Sequence, residues 1–335
     1  MDLTQFLANS SASELIRVVA DTAKLHIPDG FLSPTVSIFF WVVVVALLAV
    51  AVRRSEEELG ERQIPLAGIM AAFIFAAQMI NFPVAGGTSG HLLGGALAAI
   101  VLGPWAGMLV MTAVIGVQGL LFQDGGLVVM GANIFNMGLI TVIIGYGLYR
   151  GAAGRSRGVK LAVAGVAAWL SVMAGALATS LQLWLSGTAL LAIVMPTMLG
   201  IHAIIGLGEA LITVAALSFI LRTRPDLLGE EDATPKGSRG WVVAGGLTSL
   251  AVVLLSPFAS ANPDGLERVA IDLGFINRGA EAPFSILSDY AIPWLSEGAG
   301  STILAGAVGA LIVAAIAAGL IWIMRRRQRS GINVS

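Results

Sequence analysis

Three histidines, His26, His91 and His202, are the side chains best suited to hold a metal, and the chain contains no cysteine. Imidazole is the commonest side-chain ligand of transition metals. Two imidazoles do not make a site, so further donors are required. Without thiolates these are backbone nitrogens, amides or carboxylates, and nitrogen-rich square-planar coordination points to Ni(II) or Cu(II) rather than Zn(II). His91 closes a polar stretch, Asn81-Phe-Pro-Val-Ala-Gly-Gly-Thr-Ser-Gly-His91, set between strongly apolar segments. Irregular backbone at membrane depth survives only where protein buries it or it lines a cavity. Its glycines permit positive φ and close approach of the main chain. A glycine-rich turn with an incidental histidine is the less favoured reading of this stretch, and the second histidine, His26, weighs further against it.

His26 begins a second unusual segment, His26-Ile-Pro-Asp-Gly-Phe-Leu, in which Asp29 sits between Pro28 and Gly30 in a turn sequence. His202 and Glu209 are placed to share one face of a helix. Glu209 is the only carboxylate well inside an apolar span, and such a group is a functional candidate by default. The favoured reading is that it hydrogen-bonds His202 or a neighbouring amide rather than ligating a metal. Gln78, Asn81, Ser89, Asn133 and Asn136 are candidates to orient ligating imidazoles, or else to bond helices together. Met70, Met79, Met108 and Met111 lie in apolar stretches and read as packing.

The elements that position these residues are membrane helices. Of the 335 residues, 57% are hydrophobic and 12% charged, with 41 glycines. Several uncharged runs exceed the length needed to cross a hydrocarbon core of about 30 Å. Helical spans are expected at about 35–52, 64–80, 91–103, 105–122, 131–149, 160–185, 198–221, 241–258 and 302–324. The third is short and stops at Gly103-Pro104. Residues 222–240, RTRPDLLGEEDATPKGSRG, read as a cytosolic linker. Residues 1–24 lack the basic start and unbroken apolar run of a signal peptide. With nine crossings and the N-terminus outside, fifteen of the nineteen Lys and Arg residues face the cytoplasm. Only Arg17, Lys24, Arg268 and Arg278 remain outside, as the positive-inside rule requires. This orientation places His26, the His91 loop and residues 259–301 on the external side. The arginines from Arg325 to Arg329 read as a topology anchor at an anionic leaflet.

The stretches HIPDGFLSP (26–34), NFPVAGGTSGHLLGG (81–95), GANIFNMG (131–138) and HAIIGLGEALIT (202–213) occur in that order. They resemble the CbiM/NikM family, the substrate-specific membrane components of nickel/cobalt energy-coupling-factor (ECF) transporters. The later Asn262-Pro-Asp-Gly-Leu-Glu267, with its flanking helices, is similar to the small CbiN/NikN-type subunit carrying a PDGLE motif. The resemblance implies a fusion: an N-terminal extension at 1–24, a metal-binding membrane domain at 25–221 and a linker at 222–240. An accessory PDGLE domain follows at 241–324 with an external loop at 259–301, then a cytosolic tail at 325–335. The expected fold is an all-α membrane protein of about nine transmembrane helices, a seven-helix S-component bundle plus a two-helix accessory domain.

The family pattern binds metal through an N-terminal amine, the next backbone nitrogen, the ring of a histidine at the second position and the loop histidine. The rings map onto His26 and His91, and the amine onto Leu25. Here twenty-four residues precede Leu25, so its nitrogen is an amide within the chain. The expectation is therefore that the working protein begins at Leu25, through initiation there or proteolysis after Lys24. The resemblance implies uptake of Ni(II) or Co(II) across the inner cell membrane, with no bound cofactor and no nucleic acid. It also implies a coupling membrane protein and two ATPase subunits as partners, beside the lipid bilayer. No Walker-type phosphate loop occurs in the chain. A membrane-embedded hydrolase using His91, His202 and Glu209 is the alternative, weakened by the lack of an HExxH spacing.

Overall fold

A computed structural model describes residues 26–58, 62–228, 240–280, 282–296 and 298–332. The expected extension at 1–24, Leu25 and most of the 222–240 linker lie outside the described residues. Among the described residues, seven helices are long and apolar enough to cross a membrane. They are α1 (Pro34–Glu58), α4 (Pro104–Phe122), α5 (Met130–Arg150), α6 (Arg157–Leu185), α7 (Leu191–Thr223), α8 (Gly240–Phe258) and α10 (Ala299–Ile332). Two shorter apolar helices, α2 (Gln63–Gln78) and α3 (Gly95–Leu102), lie among them. The chain is a multi-pass, all-α membrane protein, consistent with about nine helices in the bundle. A further short helix, α9 (Gly265–Asp272), belongs to the segment between α8 and α10.

Local sequence sets the element ends. Ser33 precedes Pro34 at the start of α1, its hydroxyl accepts from Val36 N–H, and proline at the first helical position leaves no useful donor unmet. Gly103 adopts φ 82° before Pro104, a conformation open to glycine, and so divides α3 from α4. The 91–103 span is thus shorter than expected, with residues 91–94 non-helical and Gly94 left-handed at φ 81°. The 198–221 span is longer, because Pro196 falls in the second turn of α7 without ending it. The histidine loop, expected to be irregular, contains a small antiparallel hairpin. Its strands β1 (Phe82–Val84) and β2 (Thr88–Gly90) pair Phe82 with Gly90, and Gly86 and Gly87 turn with φ 75° and 69°.

Every residue of α3 is buried, which makes it the axis of the bundle. Small residues permit this: a Cβ on Gly107 of α4 would lie 3.1 Å from the Ala99 backbone of α3. Helices α6 and α7 pack along their length, while α8 and α10 both pack against α2. The C-terminal pair therefore embraces the bundle rather than standing apart. A second apolar cluster joins Ile27, Phe31 and Leu32 to Leu266, Val269 and Phe275, so the α8–α10 connection is packed onto the His26 segment.

Candidate metal centre

His26 lies in the segment before α1, and His91 directly after β2. Their rings meet edge to face, with centroids 5.7 Å apart and planes at 80°. Both border one cavity of about 70 Å³, which Asn133, Asn136, His202, Asp264 and Gly265 also line. The segment holding His26 is fixed at its backbone. Ile27 N–H donates to Asn133 Oδ1 at 3.0 Å, Asn133 Nδ2 donates to the Ile27 carbonyl at 3.0 Å, and Gly126 N–H joins that carbonyl at 2.9 Å. Asp29 accepts from the amides of Leu127, Val128 and Val129. Gly125, at φ 100°, lets this turn press against the His26 side chain, where a Cβ would sit 2.8 Å from the His26 Cβ.

Each ring is oriented by a carbonyl. His26 Nδ1 lies 2.8 Å from Asp124 O, His91 Nδ1 3.0 Å from Leu92 O and His202 Nδ1 2.8 Å from Met198 O. A carbonyl only accepts, so each Nδ1 carries a proton; in a neutral ring this leaves the lone pair on Nε2, an arrangement typical of histidines that ligate metals. Among the described residues His26 Nε2 is buried with no hydrogen-bond partner, beside the cavity. Burial holds the His26 imidazole below its ordinary pKa, opposed by the Asp124 charge and reinforced by His91, so the ring is neutral as a ligand must be.

Glu209 and Gln78 fix the other imidazole. Glu209, fully buried in α7, accepts from Leu93 N–H at 2.6 Å and Gly94 N–H at 2.9 Å. Gln78 Nε2 donates to the Leu93 carbonyl at 2.8 Å. Glu209 thus holds the backbone just past His91, not His202 and not the cavity. Asn136 exchanges hydrogen bonds with Gln182 at 2.8 and 2.7 Å and donates to Thr179, bonding α5 to α6 at the cavity wall. Ser89 donates to the Asn262 carbonyl at 2.8 Å, and the Asn81 carbonyl accepts from Ser260 N–H at 2.7 Å. These two therefore join the loop to the α8–α10 connection rather than facing the cavity.

That connection closes one side of the site. Asp264 caps α9 in a reciprocal box with Glu267, accepting from Glu267 N–H at 2.7 Å. Burial pushes Asp264 up to about 7, and burial with the Asp264 charge pushes Glu267 up to about 8. Gly265 abuts His202, where a Cβ would lie 2.8 Å from Cε1. Asp124, Gln182 and Asp264 carry no metal motif of their own, which is why reading the sequence missed them. Among the described residues, no three His, Asp or Glu side chains gather closely enough to hold an ion.

The sequence signature described as "Cobalt uptake substrate-specific transmembrane region" matches residues 26–227, and that of the PDGLE domain matches 239–326. The chain belongs to the CbiM family. It is 38% identical to the putative fused nickel transport protein NikMN of Archaeoglobus fulgidus, over 87% of this chain and 96% of that one. It is 35% identical to the probable fused nickel transport protein LarMN of Lactiplantibacillus plantarum, over 70% of this chain and 74% of that one. A crystal structure described as a truncated transition metal transporter superposes with a TM-score of 0.54 at 32% identity. It covers 59% of this chain and 98% of that one. CbiM proteins are components of transport systems, not enzymes. Glu209, spent on two backbone amides, also leaves the hydrolase reading without its carboxylate.

Proposed function

We propose that this CbiM protein is the substrate-binding component of an ECF-type transporter that takes up Ni(II) or Co(II). The observation that carries the reading is the convergence of His26 and His91 on one small buried cavity, with ring centroids 5.7 Å apart. Their rings supply two nitrogen donors. Backbone nitrogens at Leu25 and His26 complete the set in the family's pattern. A chelate joining the His26 backbone nitrogen to its own ring closes through Nδ1, which here faces Asp124 O. Binding in that pattern turns Nδ1 from Asp124 O to the metal. Asn133 and Asp29 hold the His26 segment, while Glu209 and Gln78 hold the loop after His91. Energy comes from a separate coupling membrane protein and two ATPase subunits. Ni(II) and Co(II) both accept nitrogen donors, and direct competition between them on the purified protein assigns the preferred cargo.

His91→Ala tests the reading. Removal of the imidazole abolishes high-affinity Ni(II) and Co(II) binding, measured by competition with a chromogenic chelator, while the helical circular dichroism is kept. Wild-type affinity in the variant refutes the site.

A further inference from the structure

A second, larger cavity of about 580 Å³ opens between α2, α7 and α8. Its walls are apolar, among them Ile69 and Phe73 of α2, Ile212 and Phe219 of α7 and Ala244 of α8. It exists because α7 stands off. Helix α8 packs along α2, whereas α7 packs along α6 and has no comparable contact with α2 or α8 among the described residues. The two wall hydroxyls, Thr223 and Thr248, already donate to the carbonyls of Phe219 and Ala244. Water needs several polar partners to occupy a cavity, and this groove has few to offer. An apolar void, for its part, forfeits the dispersion contacts of its lining. Along α7 the groove runs from Ile212 to Thr223, about 16 Å at about 1.5 Å per residue. That is about half of a hydrocarbon core of about 30 Å, the depth of one leaflet.

One end of the groove carries charge. Arg224 lines it and donates to Asp226 through Nε at 2.8 Å and Nη2 at 2.7 Å. Its guanidinium lies 5.2 Å from the centre of the Trp241 ring, at the start of α8. Arg62 donates to the same carboxylate at 3.3 Å with its side chain half exposed. Arg222 is exposed, shares a helix face with Ala215 two turns earlier, and has no ion pair among the described residues. Three arginines thus gather around one carboxylate. The adjoining sequence 229–239, GEEDATPKGSR, sets three acids against two bases and holds no large apolar side chain to fill the groove. A tryptophan beside arginines marks a membrane–water boundary, and the arginine distribution assigns this one to the cytoplasm.

We propose that the groove binds an anionic phospholipid of the cytoplasmic leaflet, one acyl chain between α2, α7 and α8 and the phosphate at the Arg62, Arg222 and Arg224 group. Basic pockets between membrane helices on the cytoplasmic side suit such headgroups. The lipid joins the two regions of the chain, since α2 and α7 lie within 26–227 and α8 within 239–326. It does so where the helices themselves leave a gap. The proposal is independent of the metal site.

The test uses the full chain in mild detergent, titrated with phosphatidylglycerol or phosphatidylcholine and read by native mass spectrometry. Two variants separate the ends of the groove: Arg222→Gln removes an exposed charge, and Ala215→Phe fills the apolar wall. The wild-type chain is expected to bind phosphatidylglycerol more than about tenfold more tightly than phosphatidylcholine. Arg222→Gln lowers that preference about fivefold, the worth of one cation near a membrane surface. Ala215→Phe removes the tightly bound phosphatidylglycerol while the helical circular dichroism is kept. Equal binding of the two lipids by the wild-type chain overturns the proposal. So does a preference unchanged in Arg222→Gln. Tight phosphatidylglycerol binding that survives Ala215→Phe also overturns it, and places the lipid elsewhere, such as at the arginines from Arg325 to Arg329. If Ala215→Phe instead leaves lipid binding intact and weakens assembly with the coupling membrane protein, the groove receives a protein helix and the proposal fails. Because Arg222 is exposed, its variant decides the question even where Ala215→Phe does not fold.

Discussion

Glu209→Ala is the perturbation whose effect is best defined by geometry. The carboxylate accepts from two backbone amides immediately after His91, at 2.6 and 2.9 Å, from a fully buried position. Hydrogen bonds to a charged group contribute roughly 1.5–3 kcal/mol each, and buried donors left unmet add their desolvation penalty. Alanine removes both acceptors, so about 3–6 kcal/mol is withdrawn from the ordered loop. Glutamine keeps one accepting oxygen and sets an amide NH₂ against the other N–H, so about 1.5–3 kcal/mol is lost. Loop order becomes affinity because a site populated in only a fraction of molecules binds more weakly by that fraction. At about 1.4 kcal/mol per tenfold, glutamine weakens Ni(II) binding by up to about ten- to a hundredfold, and alanine by more. Chelator competition on purified protein measures both, with circular dichroism confirming the helices. An alanine variant within twofold of wild type refutes the argument, since the loop would then be ordered without Glu209. An order of effect with glutamine worse than alanine refutes it as well.

Three further outcomes are expected. Gly265→Ala places a Cβ 2.8 Å from His202 Cε1 and Ile205 Cδ1, an overpacking that costs about 1–3 kcal/mol and loosens the PDGLE segment. Tryptic cleavage after Arg278 then accelerates several-fold or more, and an unchanged rate refutes the contact. Ser296→Cys, in an otherwise cysteine-free chain, is labelled by an impermeant maleimide in intact cells. Labelling only after lysis reverses the assigned orientation. A chain that starts at the Leu25 position, with methionine there, binds Ni(II) more tightly than the 335-residue chain. Chelator competition checks this, and equal affinity excludes the terminal amine as a donor.

Much of the architecture was legible because it rests on local rules. Long uncharged runs, the Gly103-Pro104 break and the arginine clusters depend on composition and chain geometry alone, whatever each helix packs against. His26, His91 and His202 stood out through scarcity and neighbourhood, and all three border the cavity. The His91 loop was recognisable from its glycines, but its hairpin was not, because three-residue strands carry too little alternation to register. The roles of polar residues were less accessible still. Glu209 and His202 share a helix, yet Glu209 reaches the Leu93 and Gly94 amides instead, a pairing that arises only when α7 packs beside the loop.

What the sequence determined alone was therefore the set of membrane helices and the scarce imidazoles, since both follow from transfer free energies and residue type. What tertiary structure decided was which atoms meet. Ser89 against Asn262, Gly265 against His202, and Tyr290 through Asp124 to His26 all join residues far apart in the chain. Such contacts depend on three-dimensional packing and on single donors finding single acceptors in a buried site, and no periodicity along the chain records them. The PDGLE motif announced a domain. Only the fold showed that its aspartate and glycine form a wall of the cavity lined by the three histidines.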